Sequence, residues 1–310
     1  RRVLFRSLTQ AGEENVVLLE KGDLDHNDGS TSHAPGGLRT LTVSHFFTQL
    51  GQGSRATYDK LPLAVEGEEQ FFRTGFMQMA NTAERFDSYK RIQEMGMVYN
   101  VESHLLTPKE VQEKLPMIDP STIYGGMFVP DSGTVKTSRL ATSLRRLGEG
   151  SGRLTSYGDT QVTDVLTKDG RVTGVKTDNP EIPQIDCERV VLCSNIWAPI
   201  LAEKLGVAMP LFPGEHQYIF TEPAPIFDDV KHIENTIPVS TLDDISVYFR
   251  QHNETLGIGS YAHQARLVDP DKLNKFAKNP FTPDDFTEAW KLMQGHMRSE
   301  EHTSELQSRS

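Results

Sequence analysis

The run Val16-Val17-Leu18-Leu19 constrains this chain more than any other stretch: four apolar residues without alternation, closed by Glu20 and followed at once by Lys21-Gly22. A half-buried strand alternates apolar and polar residues, whereas a strand covered on both faces of a parallel sheet does not. The run therefore predicts a parallel strand of a doubly wound α/β sheet, with Glu20 at its carboxyl end. A polar, Gly-rich loop over 23–37 follows, then helices over 44–60, 82–97 and 136–148. Thr107 and Pro108 read as the cap and first position of a further helix. IYGGMFVPDSGTV reads as a hairpin-like or turn-rich segment, and two alternating runs joined at Asp169-Gly170 predict a true hairpin. Arg189–Cys193 reads as a second buried strand and 197–205 as a helix, while HQYIFTEP, DISVYFRQHN and LGIGSYAH read as strands of an antiparallel sheet. Residues 282–294 close the series as an amphipathic helix. Mixing of βαβ-like and antiparallel segments predicts two interleaved domains. One, nucleotide-binding, takes 8–65 and 131–205; the other, substrate-binding, takes 66–130 and 206–297.

The two ends read differently from the rest. Arg298–Ser304, RSEEHTS, can be encoded by AGA TCG GAA GAG CAC ACG TCT, whose reverse complement translates as RRVLFRS, the sequence of Arg1–Ser7. Complementary coding at opposite termini is expected of a sequencing adapter translated at both edges of a fragmentary assembly, so 1–7 and 298–310 are set aside as non-native and the native part is read as truncated. A net charge of −11 argues against nucleic acid or an anionic membrane surface as partner. No apolar run approaches the ~20 residues of a membrane span, and a cytoplasmic location is expected. Cys187 and Cys193, without metal-ligand spacing, read as reduced and packed.

Two features carry chemistry. An acid ending the second strand of a dinucleotide-binding sheet can accept both ribose hydroxyls, although Glu20 alone also fits a solvated strand end. The loop Gly29-Ser30-Thr31-Ser32-His33-Ala34-Pro35-Gly36 begins nine residues further on. Its small residues let backbone N–H groups approach a pyrophosphate or a ring system, and its imidazole is a nucleophile; an ordinary surface loop reads the same way.

VVLLEKG followed by GSTSHAPG, then YNVESHLLTPKEVQEKLP, IYGGMFVPDSG, GRVTGVKTD, VVLCSNIWAP, HQYIFTEP, SVYFRQ and GIGSYAH, in this order, resemble the dimethylglycine oxidase, dimethylglycine dehydrogenase and sarcosine dehydrogenase family over essentially all of 8–297. The resemblance implies FAD bound covalently through His33, with Glu20 and Lys21 at the ribose, Ser30, Thr31 and Ser32 beside the flavin, and the backbone of Val162 on the adenine side. It further implies His216 and Tyr248 as active-site residues, with Tyr261 lining the same cavity. The implied reaction is oxidative N-demethylation of dimethylglycine, sarcosine or a similar N-methyl amino acid. Electrons would pass to oxygen or an electron-transfer protein, and the one-carbon product to water or to tetrahydrofolate in a further C-terminal domain.

Hydride removal needs an amine with a free lone pair, so His216, whose ordinary pKa lies near working pH, is expected to take the ammonium proton. Tyr248 is expected to hold the substrate rather than to act as a base. Arg250 would pair with a carboxylate if alternation keeps it on the face of Tyr248. The chain departs from its relatives at Cys193-Ser194-Asn195-Ile196-Trp197, where many have a glycine before the tryptophan, and at Gly36-Gly37-Leu38-Arg39. Two other readings stay open: a different FAD-dependent amine or amino-acid oxidoreductase of the same fold, and an inactive fragment.

Overall fold

The computed structural model describes residues 7–26, 29–61, 69–273 and 277–298. Of the two adapter-like ends, only Ser7 and Arg298 fall within them, and Asn27 and Asp28 of the predicted loop lie outside. From the amino end the chain runs β1 (Val16–Leu19), α1 (Ser30–His33), β2 (Gly37–Leu38), α2 (His45–Tyr58), β3 (Phe71–Phe72), β4 (Phe76–Ala80), α3 (Ala83–Val98), β5 (His104–Leu106), α4 (Pro108–Lys114), β6 (Gly125–Val129), β7 (Gly133–Val135) and α5 (Thr137–Gly150). It continues through β8 (Leu154–Tyr157), β9 (Val162–Lys168), β10 (Arg171–Thr177), β11 (Gln184–Asp186), α6 (Ala198–Lys204), β12 (Gly214–Glu215), β13 (Tyr218–Phe220), β14 (Val239–Leu242), β15 (Val247–His252), β16 (Thr255–Ser260), β17 (Arg266–Leu267) and α7 (Pro283–Gln294).

Local chemistry sets many of these boundaries. The hydroxyls of Ser44 and Thr82 accept from the backbone N–H of Phe47 and Arg85, starting α2 and α3. Thr107 and Glu110 close a reciprocal capping box at α4, with Pro108 in its first turn. At the β9–β10 turn Asp169 and Gly170 take φ of 51° and 75°, the left-handed pair that a two-residue hairpin needs.

β1 pairs in parallel with β8, Val16 opposite Leu154 through Leu19 opposite Tyr157. The largest sheet among the described residues has seven strands in the order β13-β16-β15-β14-β4-β6-β5. Its neighbours are antiparallel except β14 and β4, which run parallel where the two halves of the chain meet. This molecule is therefore a mixed α/β fold.

Alternation along these strands divides the large sheet into two faces. Met77 and Met79 of β4, Phe249 of β15 and Ile258 of β16 point to one side, where Val111 and Leu115 of α4 and Phe286 and Met293 of α7 complete a dry core. On the other side α3 covers the β4–β6 end, packing Tyr89 and Ile92 against Ala80, Met127 and Val129. The β13–β15 end of that second face stays open.

Three expectations change. Arg189–Cys193 forms no strand, and Val191 is exposed. Strand structure requires a partner; this segment faces β1 across a cleft instead of bonding to it, and the ladder of β1 goes to β8. IYGGMFVPDSGTV is not a hairpin: β6 joins the seven-stranded sheet, whereas β7 pairs with β2 and β3 in another. The loop over 23–37 contains the short helix α1.

Candidate active site

The open face is built across three strands. β16, in the middle, places Gly257 and Gly259 opposite Arg250 and Tyr248 of β15 on one side, and opposite Phe220 and Tyr218 of β13 on the other. A β-carbon on Gly259 would come within 2.1 Å of Tyr248 Cζ, and one on Gly257 within 2.2 Å of the Tyr218 hydroxyl. Bare backbone in the central strand lets the outer side chains lean together over it. Tyr218 and Tyr248 stack with ring centroids 6.0 Å apart, Tyr248 and Tyr261 lie at 5.3 Å, and Tyr261 meets the edge of His216 at 4.6 Å. Sequence and structure thus bring His216, Tyr248 and Tyr261 into one aromatic wall. It also contains Tyr218, Phe220 and His252, which were signalled in the sequence only by alternation in QYIF and by the glycine pair of LGIGS.

The electrostatics fit a proton acceptor among donors. Desolvation, and then the neighbouring His263, lower the pKa of His216 from its ordinary value, which favours the neutral imidazole. Burial raises the pKa of Tyr248, with Tyr261 and Tyr218 adding to the effect, and burial likewise raises that of Tyr218. Both phenols stay protonated and serve as hydrogen-bond donors. Tyr218 lies 2.9 Å from Nε2 of His252, itself kept neutral chiefly by desolvation.

Arg250 does lie on the face of Tyr248, but it is not open to a ligand. Its guanidinium is buried, bonded to Glu234 Oε1 at 3.0 Å and to the Gln251 carbonyl at 3.2 Å. The expectation that it receives a substrate carboxylate is corrected accordingly: Glu234, not recognised in the sequence, already neutralises it. The accessible cation is Arg39. Its guanidinium carbon sits 4.2 Å from the centroid of the Phe76 ring, on the same sheet face. It remains solvent-exposed, yet enough protein surrounds it that desolvation lowers its pKa, opposed by the charge of Asp243. β2 brings it there: a β-carbon on Gly37 would lie 3.3 Å from Val239 of β14 and 3.7 Å from Phe76, so the segment 33–39 crosses the open face. The buried Thr241 hydroxyl beside Tyr248, across the β14–β15 pair, has no hydrogen-bond partner.

A second hollow adjoins the nucleotide-type elements. Glu20, Lys21 and Val162 all line one cleft of about 930 Å³, together with Cys193, Ser194 and Trp197. Glu20 Oε1 accepts from the Gly22 N–H at 3.2 Å, and the Lys21 ammonium stands 3.4 Å from the Trp197 ring centroid. Ser30, Thr31, Ser32 and His33 make up α1, exposed throughout. The departure at Asn195 has a structural account. Asn195 takes φ of 52°, a conformation asparagine tolerates better than most side chains, and its amide donates to the Ser30 hydroxyl at 2.8 Å. A glycine there would adopt the same backbone without tying the two loops together. The Ser194 hydroxyl, buried on the cleft wall, has no hydrogen-bond partner, leaving a polar atom for a ligand.

No described helix is long and apolar enough to cross a membrane. Mouse pyruvate dehydrogenase phosphatase regulatory subunit, mitochondrial, is 33% identical over 218 residues, 70% of this chain and 24% of that protein. Human sarcosine dehydrogenase, mitochondrial, is 32% identical over 264 residues, 82% of this chain and 27% of that protein. The chain thus spans about a quarter of the length of these curated relatives. In fold it is similar to the crystal structure of L-proline dehydrogenase from P. horikoshii, with a TM-score of 0.80 and 20% identity over 96% of this chain and 74% of that one. The model of the family DAO, FAD dependent oxidoreductase, matches residues 4–308, and the chain belongs to that family.

Proposed function

We propose that the protein carrying this chain oxidises an N-methylated glycine derivative, dimethylglycine or sarcosine, by hydride transfer from the N-methyl group to FAD. The observation that carries this reading is the wall of His216, Tyr218, Tyr248 and Tyr261 on the sheet face that also carries the exposed cation Arg39. A small zwitterion with a methylated ammonium matches that pattern: its carboxylate goes to the guanidinium, and its cationic head lies against phenol faces. In this reading the neutral His216 takes the ammonium proton and frees the lone pair, while Tyr248 and Tyr261 hold the amine.

The residues present fit the cofactor. The cleft of Glu20, Lys21 and Val162 offers a carboxylate and an ammonium for ribose and phosphate, the backbone of Val162 would meet the adenine side, and Ser194 offers an unused hydroxyl. Ser30, Thr31 and Ser32 present small polar groups beside His33, which we assign as the point of covalent attachment. Bound FAD supplies the acceptor for the substrate hydride.

The full-length, flavin-loaded protein tests the reading. Anaerobic mixing with dimethylglycine or sarcosine bleaches the yellow absorbance, whereas glycine betaine, which has no lone pair on nitrogen, leaves it unchanged. Bleaching by unmethylated amino acids alone would move the assignment to another amine oxidoreductase of the same fold. Bleaching by no amine would end it. Acid precipitation should carry the colour into the pellet, and His33→Ala should release it to the supernatant; colour retained in the His33→Ala pellet places the tether elsewhere.

A further inference from the structure

His216 does not stand alone at the edge of the aromatic wall. The chain leaves β16 at Ser260, and three residues later His263 places its Nε2 3.1 Å from Nδ1 of His216. The other nitrogen of His263, Nδ1, lies 2.9 Å from the Gln264 carbonyl oxygen. A carbonyl oxygen only accepts, so Nδ1 of His263 carries hydrogen and donates to it. In neutral His263 the Nε2 is then an acceptor. The hydrogen between the two rings must come from His216, and it sits on Nδ1. One ring nitrogen of neutral imidazole carries hydrogen and the other a lone pair, so the assignment propagates to the far side of His216.

We infer that His263 is a positioning residue that fixes the tautomer of His216, holding hydrogen on Nδ1 and leaving Nε2 as the proton acceptor. The order is backbone carbonyl, His263, His216, amine. The catalytic step loses its acceptor if His216 takes the opposite tautomer, because Nε2 is then already protonated. The charged and titratable groups facing this pair are few. Tyr261 meets His216 edge-on, and Asp285 of α7 is near enough for His263 to contribute to its lowered pKa, after Thr282 and Arg266. Asp285 is itself engaged by Arg266 at 2.8 Å and by the Thr282 hydroxyl at 2.6 Å, so its carboxylate does not compete for Nδ1 of His216.

This inference rests on the proposed reaction only for its kinetic consequence; the tautomer can be read without turnover. In full-length protein with isotope-labelled histidine, ring carbon and nitrogen shifts above about pH 8, where imidazoles are neutral, report which nitrogen bears hydrogen. The His216 signal is identified by its loss in His216→Gln. The expected result is Nδ1–H in the parent, Nε2–H in His263→Leu, and Nδ1–H again in His263→Gln, whose side-chain carbonyl restores an acceptor. Nε2–H in the parent, or no change in His263→Leu, overturns the inference. In turnover, His263→Leu is expected to lower kcat/KM roughly tenfold, part of the ~10²–10⁴ that a positioned base contributes, with recovery in His263→Gln. A changed tautomer with unchanged kcat/KM supports the positioning by His263 and removes His216 as the base, so the two ideas fail separately.

Discussion

Gly259 has no space for a methyl group, because the phenol of Tyr248 already occupies it. Gly259→Ala must displace the ring by about an ångström, a shift that can cost ~10²-fold in rate when it misplaces a substrate contact. We expect kcat/KM to fall by about that factor in Gly259→Ala while the circular dichroism spectrum stays that of the parent; unimpaired turnover would show that Tyr248 does not touch substrate. Arg39 makes a different prediction. If it binds the carboxylate equally in ground and transition states, Arg39→Ala raises KM about 10–100-fold with little change in kcat, the effect of losing a hydrogen bond to a charged group worth about 1.5–3 kcal/mol. A fall in kcat at constant KM would assign Arg39 to the chemical step instead. Nothing in the sequence singled out Arg39 over Arg250, since both are arginines near small or aromatic residues. What separates them is a buried carboxylate, Glu234, brought from a distant loop.

Among the elements, those with self-contained signals were legible. α4 was visible from Thr107-Pro108 and the β9–β10 hairpin from Asp169-Gly170, because a cap or a two-residue turn is decided within four or five residues. Loss of the α4 cap through Thr107→Ala should destabilise the protein by about 1 kcal/mol, read as a lower urea midpoint at unchanged slope. Strands were legible as apolar runs but not as partners. Arg189–Cys193 has the composition of a buried strand and forms none, and the run ending in Val129 joins a different sheet from Gly133–Val135. Pairing depends on what else reaches the ladder, and hydrophobic spacing does not encode that. The wall around His216 was readable only in part for the same reason: β13 and β15 meet across Gly257 and Gly259, and that meeting depends on the register of three strands.

For the molecule as a whole, one carboxylate joins distant parts of the chain. Glu234 faces Lys136, at the start of α5, at 3.0 Å, and Arg250 and His252 of β15 at 3.0 Å and 3.5 Å. Desolvation would raise its pKa, but hydrogen bonds from His252 and Lys136 and the charge of Arg250 outweigh it and hold the carboxyl at about 2, below its ordinary 4.5. A depressed carboxylate stabilises the fold above the unfolded value and loses that contribution as pH falls toward the folded one. The window is therefore pH 4.5 down to about 2, and the contribution is about 3 kcal/mol. Glu234→Gln should flatten the stability profile across that window and cost about 3–5 kcal/mol at neutral pH by leaving the buried Arg250 charge without its carboxylate. An unchanged acid limb in a urea titration would contradict this.

The two faces of the large sheet also divide labour residue by residue along β15. Val247 and Phe249 look into the dry core and Gln251, on the same side, bonds Thr236 and the Asn253 carbonyl, whereas Tyr248, Arg250 and His252 look onto the open side. Systematic replacement along those six positions should give an even–odd record, with melting temperature falling at one set and turnover at the other. Arg250 and His252 would be recorded in both, because their contacts with Glu234 tie the aromatic wall to the rest of the chain.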